Sequence, residues 1–230
     1  MSSVRFPGES KAYREARDKL LVAELELRRQ VEAVAALRRT MPLGGEVPED
    51  YAFEEGGNDS SDVETVRTVR LSELFAPGKD ALLLYSYMYG PAMKQPCPLC
   101  TSMLDGLDGQ ANHVKQRANL AVVAQSPIKR IRELARGRGW HNMRLLSAAK
   151  NGYQRVYQGE DEKGGQNPTM NVFVRRDGRV HHFWCCEVLF NAPHDGLDSR
   201  HIDQFWPLWH LLDLTPDGRG KDFYPKLSYT

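Results

Sequence analysis

The 230 residues hold few cysteines, no long apolar run and no surplus of charge of one sign. Four cysteines are too few for a disulfide scaffold, so an apolar core has to hold the fold. The longest apolar stretch, residues 81–84 followed by Tyr85-Ser86-Tyr87-Met88-Tyr89, is about half the roughly 20 residues a membrane-crossing helix needs. Lysine plus arginine number 31 against 30 acidic residues, a net charge of +1. That balance gives no electrostatic reason to expect nucleic acid or an anionic membrane as the main partner. The first 20 residues are charged throughout and lack the apolar segment of a secretory signal, so a cytoplasmic location is the expectation. Cysteines in that compartment are either inert core residues or carry redox or metal chemistry.

What is present is ordinary globular composition, 41% hydrophobic and 27% charged. The length suits one domain with an added arm. Residues 10–40 read as one long helix, with Leu20, Ala23, Leu27, Val31 and Val34 at steps of three and four and Glu24 four before Arg28. Ser10 can cap its start, and Pro42 with Gly44-Gly45 stops it. Such a helix spans roughly 45 Å, longer than a small domain is wide. Two readings are open, a brace lying on its own domain or an arm that pairs two copies into a homodimer. Residues 54–62 are polar and glycine-bearing and read as a loop between arm and body. The expected division is therefore a helical arm over 1–45, a linker over 46–64 and a domain over 65–230.

Within that domain residues 65–71 alternate, Ala81–Tyr87 and Asn119–Ala124 read as buried strands, and residues 128–136 read as a helix ended by Gly137 and Gly139. Residues 170–174 and 179–184 alternate on either side of Asp177-Gly178, a strong hairpin signal. Residues 199–212 have helical spacing that Pro207 must kink or split. Strands alternating with helices before a hairpin indicate an α/β layered fold.

The chemistry is concentrated at Cys97-Pro98-Leu99-Cys100. The motif follows a buried strand and opens a segment that can be helical, with Pro98 suited to the first helical turn. Cys97 then sits at a helix N-terminus, where unpaired N–H groups and the helix dipole stabilise a thiolate. Cys100, one turn on, is placed to resolve a mixed disulfide. Asn167-Pro168-Thr169-Met170 runs into the first hairpin strand, where thioredoxin folds place a cis-proline facing the CxxC. The cis form is the expectation for Pro168, with an ordinary trans loop proline as the alternative.

These residues resemble the bacterial thioredoxin-like family catalogued as domain of unknown function 899. The resemblance is carried by Glu24-Leu25-Glu26-Leu27-Arg28-Arg29, Leu37-Arg38-Arg39 with Pro42, and Asp50-Tyr51-Ala52-Phe53. It continues through residues 82–91, the CPLC motif, Gly139-Trp140, Arg176-Asp177-Gly178 and Leu212-Asp213-Leu214-Thr215-Pro216-Asp217-Gly218-Arg219. Two departures stand out: Leu43-Gly44-Gly45 where an aromatic is usual, and Cys185-Cys186 where hydroxyl and aromatic residues are commoner. The resemblance implies a thioredoxin-like fold with a long N-terminal helix and names no substrate.

Three rival readings use the same residues. Val69-Arg70-Leu71-Ser72-Glu73-Leu74-Phe75 before a buried strand also resembles peroxiredoxins, but Lys94 and Cys97 stand where their Pro-x-x-x-Thr-x-x-Cys frame needs threonine. His181-His182-Phe183-Trp184-Cys185-Cys186 offers metal donors, yet regular strand alternation sends Cys185 and Cys186 to opposite faces and keeps half the cluster apart. No metal and no cofactor is expected. A non-catalytic binding or redox-sensing module is the third. Asp105 and His113 are candidates for proton transfer, while Asp80 only borders the strand before the motif. The favoured expectation is a thiol–disulfide oxidoreductase acting on a protein or small-molecule disulfide. Cys97 attacks, Cys100 resolves, and Pro98, Leu99, Pro168 and Thr169 shape the groove.

Overall fold

The computed structural model describes residues 4–57, 62, 64–189, 206–220 and 223–229. The chain divides into two compact units, Met1–Pro42 and Leu43–Thr230.

The first unit is built on α1, Lys11–Thr40. Ser10 caps it, its hydroxyl accepting the Tyr13 N–H at 3.1 Å, which satisfies one of the orphan donors of the first turn. Side chains one turn apart pair along it, Arg14 with Asp18 and Arg28 with Glu32, while Glu24 pairs with Arg17 rather than with Arg28. None of its residues is buried.

The second unit is a seven-stranded mixed sheet. Its strands are β1 (Ala52–Gly56), β2 (Val66–Arg70), β3 (Ala81–Tyr87), β4 (Asn119–Ala124), β5 (Arg144–Ser147), β6 (Thr169–Arg176) and β7 (Arg179–Cys185). Their order across the sheet is β2-β1-β5-β4-β3-β6-β7. Strands β3, β4 and β5 run parallel, joined by the crossover helices α2 (Pro98–Val114) and α3 (Ile128–Arg138). Strands β6 and β7 add an antiparallel hairpin beside β3. The order strand, CxxC, helix, strand, helix, proline, hairpin is present as read from the sequence, and the fold is thioredoxin-like.

Strand alternation divides the core into two layers. Tyr85, Tyr87, Val122 and Ala124 face one layer with Met103, Leu104 and Ile131. Leu82, Leu84, Ala121 and Val123 face the other with Phe53, Tyr153 and Phe173. The hairpin turn has φ 50° at Asp177 and 76° at Gly178, the two left-handed residues of a type I′ turn. Helix α3 ends where Gly139 takes φ 73°.

Three sequence expectations change. The stretch read as linker contains β1, so the sheet begins before residue 65. Glu54 and Glu55 disguise it. Glu55 is buried because the guanidinium of Arg144 grips both its oxygens at 2.8 Å and Arg67 of β2 adds bonds of 3.0 and 3.2 Å. Burial alone would raise its carboxyl pKa, but the two guanidiniums outweigh burial and hold it below the usual range. Second, the Asn167–Pro168 bond is trans, as is every other peptide bond among the described residues. Third, the last helix, α5, starts at Pro207 and ends at Asp213, so proline begins it rather than kinking it. The proposed residues 199–205 of that helix lie outside the described set.

Candidate active site

Cys97 is the N-cap of α2, and Pro98 occupies the first turn. The Cys97 N–H bonds the Met88 carbonyl at 3.1 Å, fastening the cap to the chain just beyond β3. Its carbonyl accepts from the Thr101 N–H at 3.0 Å and the Thr101 hydroxyl at 2.8 Å, and the Tyr87 hydroxyl lies 2.6 Å from that same hydroxyl. The turn is therefore held from both sides, and the Cys97 sulfur faces the Cys100 N–H at 3.5 Å. Pro98 and Leu99 are half-buried, whereas Cys97 and Cys100 are 9% and 2% exposed. All four cysteines are free thiols.

The two thiols are driven in opposite directions. The Cys100 thiol, the backbone N–H groups of Cys100 and Leu99, and the Tyr224 hydroxyl all favour a Cys97 thiolate. Together they overcome burial and lower its pKa to about 6. Burial, followed by the hydrogen bond to Cys97 and then its charge, pushes Cys100 well up, although the buried Tyr85 hydroxyl counters part of this. The Cys97 sulfur thus favours the thiolate and the Cys100 sulfur the protonated form. Alkylation of reduced Cys97 by iodoacetamide should reach half its plateau rate near pH 6, against about 8.5 for an ordinary cysteine. Tyr224→Phe should move that midpoint upward, because one donor to the thiolate is lost. An ordinary midpoint in the native protein would show that the cap does not stabilise the anion.

Asp105 and His113, the candidates for proton transfer, and Asp80 make no contact with either thiol. Asp105 accepts from Arg138 Nε at 3.1 Å and Trp140 Nε1 at 2.8 Å, which commits it to holding α2 against α3. His113 is exposed in the last turn of α2, roughly 24 Å along the helix from Cys97. Asp80 pairs with Arg175 at 3.4 Å at the start of β3, the end away from the motif. Beyond the two cysteines and the backbone, the side chains acting on the thiols are tyrosines. Tyr85 stands in an apolar run and Tyr224 lies far along the chain, so no local pattern could have connected either with Cys97.

Pro168 is buried at the entry to β6, one residue before the Ser86–Thr169 register pair. The Thr169 side chain is fully buried, and its hydroxyl lies 3.1 Å from the Cys185 sulfur and 3.4 Å from the Cys186 sulfur. Any part it takes in a groove is therefore through its backbone. Regular alternation of β7 also fails. A bulge opposite Val172/Phe173 pairs Phe173 with His182, Val172 with Trp184 and Asn171 with Cys185, leaving Phe183 as the extra residue. His182 and Cys185 consequently share a face, and Cys186 lies just past the strand. The expected separation of the two adjacent thiols is replaced by convergence on one hydroxyl. Among the described residues no three His, Cys, Asp or Glu side chains gather as metal ligands.

A family model described as "Bacterial protein of unknown function (DUF899)" matches residues 4–229. The chain belongs to this family. Among solved structures, a reduced 2-Cys peroxiredoxin of Plasmodium vivax is 16% identical with a TM-score of 0.47, covering 73% of this chain and 94% of that one. The peroxidoxin BcpB of Mycobacterium tuberculosis is 22% identical with a TM-score of 0.42, covering 61% and 82%. The exposed lipoprotein thioredoxin Etrx1 of Streptococcus pneumoniae is 17% identical with a TM-score of 0.39, covering 70% and 98%. No curated protein matches the chain in sequence. No helix among the described residues is long and apolar enough to cross a membrane.

Proposed function

We propose that this member of the family is a thiol–disulfide oxidoreductase in which Cys97 attacks a substrate disulfide and Cys100 resolves the mixed disulfide. The supporting observation is the asymmetry of the pair: a capped sulfur held near pKa 6 beside a buried, protonated one. In the first step a Cys97–substrate S–S bond forms and the substrate's own S–S bond breaks, its leaving sulfur taking a proton. In the second, Cys100 attacks the Cys97 sulfur, and the other half of the substrate leaves as a thiol. Beside Tyr224 lies a cleft of about 780 Å³ lined by Ser102, Asp105, Leu208, Phe223 and Tyr229, and it suits an apolar segment flanking a substrate disulfide. Pro98, Leu99 and the backbone at Pro168 and Thr169 form the rest of the groove in this reading, which places the protein in a reducing cytoplasm.

The test is the Cys97–Cys100 equilibrium in glutathione buffers, followed by thiol trapping and mass spectrometry. A thiolate favoured this strongly stabilises the reduced form. The potential should therefore lie above the roughly −270 mV of thioredoxin, toward the roughly −120 mV of a strong oxidant. Absence of a Cys97–Cys100 disulfide at every glutathione ratio would end the proposal.

A further inference from the structure

The CPLC mechanism leaves two buried nucleophiles unused, Cys185 and Cys186, at 8% and 7% exposure. Adjacent cysteines in a regular strand point apart, but here the bulge and the end of β7 bring both sulfurs onto the Thr169 hydroxyl. The Cys186 sulfur also accepts the Met170 N–H at 3.2 Å, while the Cys186 N–H bonds the Met170 carbonyl at 3.2 Å. The backbone that presents this thiol is thus anchored. The surroundings are closed and largely apolar, with a few polar groups among them. Ser86, the register partner of Thr169, and Tyr153, within electrostatic reach of Cys185, are both fully buried. The Ser86 hydroxyl oxygen has no hydrogen-bond partner among the described residues. A buried hydroxyl in that condition favours a small polar guest.

We propose that Cys185 and Cys186 form a second thiol redox centre, independent of the Cys97–Cys100 pair, that reduces a small peroxide and closes to a vicinal disulfide. Cys186 is the attacking sulfur, since it alone of the two receives the Met170 N–H. Its pKa is lowered to about 6, first by the Cys185 thiol, while the Cys186 neighbour and burial push Cys185 up. Burial of both sulfurs excludes a protein disulfide, so the substrate class proposed is a small oxidant such as hydrogen peroxide. The Cys186 thiolate attacks one peroxide oxygen and the O–O bond breaks. The departing hydroxide takes a proton and leaves as water, with Cys186 now a sulfenic acid. The Cys185 sulfur then attacks the Cys186 sulfur, an S–S bond forms, and the sulfenic oxygen leaves with the Cys185 proton as a second water. Two thiols lose two electrons, and one peroxide becomes two waters.

The test uses the full-length Cys97→Ser/Cys100→Ser protein, treated with hydrogen peroxide, trapped with N-ethylmaleimide and digested for mass spectrometry. The expected result is a peptide holding Cys185 and Cys186 that has lost two hydrogens and takes up the label only after reduction. Thr169→Val in the same background, which removes the shared hydroxyl at nearly constant volume, should slow its formation about tenfold. Two results overturn the proposal: both thiols remaining fully labelled at a hundredfold excess of peroxide, or separate oxidation to sulfinic acid with no disulfide. Should the double variant fail to fold, Cys186→Ser alone serves. Cys185 must then stay free under peroxide, and a Cys185–Cys97 or Cys185–Cys100 crosslink would refute independence. A Cys97–Cys100 pair that forms no disulfide in glutathione would remove the proposed function and leave this centre standing.

Discussion

Cys97→Ser should lower the rate of reduction of a model protein disulfide by at least about 10³-fold, because serine supplies no anion near neutral pH. Cys100→Ser should behave differently. It keeps the nucleophile and the Cys100 N–H facing it, so the first step survives and a Cys97–substrate mixed disulfide accumulates stoichiometrically. It also removes the largest cause of the lowered Cys97 pKa, the hydrogen bond from the Cys100 thiol. The alkylation midpoint of Cys97 should therefore rise in Cys100→Ser, even though the cap and the Tyr224 hydroxyl remain. The pair of variants separates the roles in a way that activity alone does not. Mass spectrometry of trapped complexes reads the first step, and the pH profile reads the electrostatics. Loss of activity in Cys97→Ser without trapping in Cys100→Ser would count against a resolving role for Cys100.

Phe53→Ala should destabilise the protein by about 3–5 kcal/mol, lowering the thermal midpoint by roughly 10 °C. Phe53 is fully buried in the core layer beneath β1, and its ring meets Tyr153 edge-on with centroids 5.3 Å apart. Truncation leaves a cavity between strand β1 and the short helix α4 (Tyr153–Val156), while the Glu55 clamp to Arg67 and Arg144 prevents the strand from moving in to fill it. The same substitution in an exposed linker would change stability by no more than about 0.5 kcal/mol. Denaturant unfolding of the full chain therefore decides between a strand integral to the sheet and a tether.

Local chemistry was legible wherever one residue type leaves few choices. Ser10 before a periodic run marked the start of α1, Asp177-Gly178 marked a turn that needs two left-handed residues, and of the two glycines read as ending α3 Gly139 does so while Gly137 lies inside the helix. Pro98 after Cys97 placed the thiol at a helix N-terminus, since proline is tolerated only in the first turn. Continuous apolar runs made β3 and β4 readable to the residue, because strands buried on both faces admit little else.

What escaped depends on partners remote in sequence. Strand β1 looks polar because the groups that neutralise Glu55 come from β2 and β5, 12 and 89 residues away. The tyrosines acting on the CPLC sulfurs act through space, and a hydroxyl's target is not encoded in its neighbours. The alternation rule for β7 holds only while the ladder is regular, and one extra residue opposite Val172/Phe173 turns the following side chains over. Sequence alone determined the order of elements and the place of the CPLC motif at a helix start. Tertiary structure decided which thiol favours the thiolate, what surrounds it, and that Cys185 and Cys186 converge on Thr169, because burial and through-space hydrogen bonding belong to the folded chain.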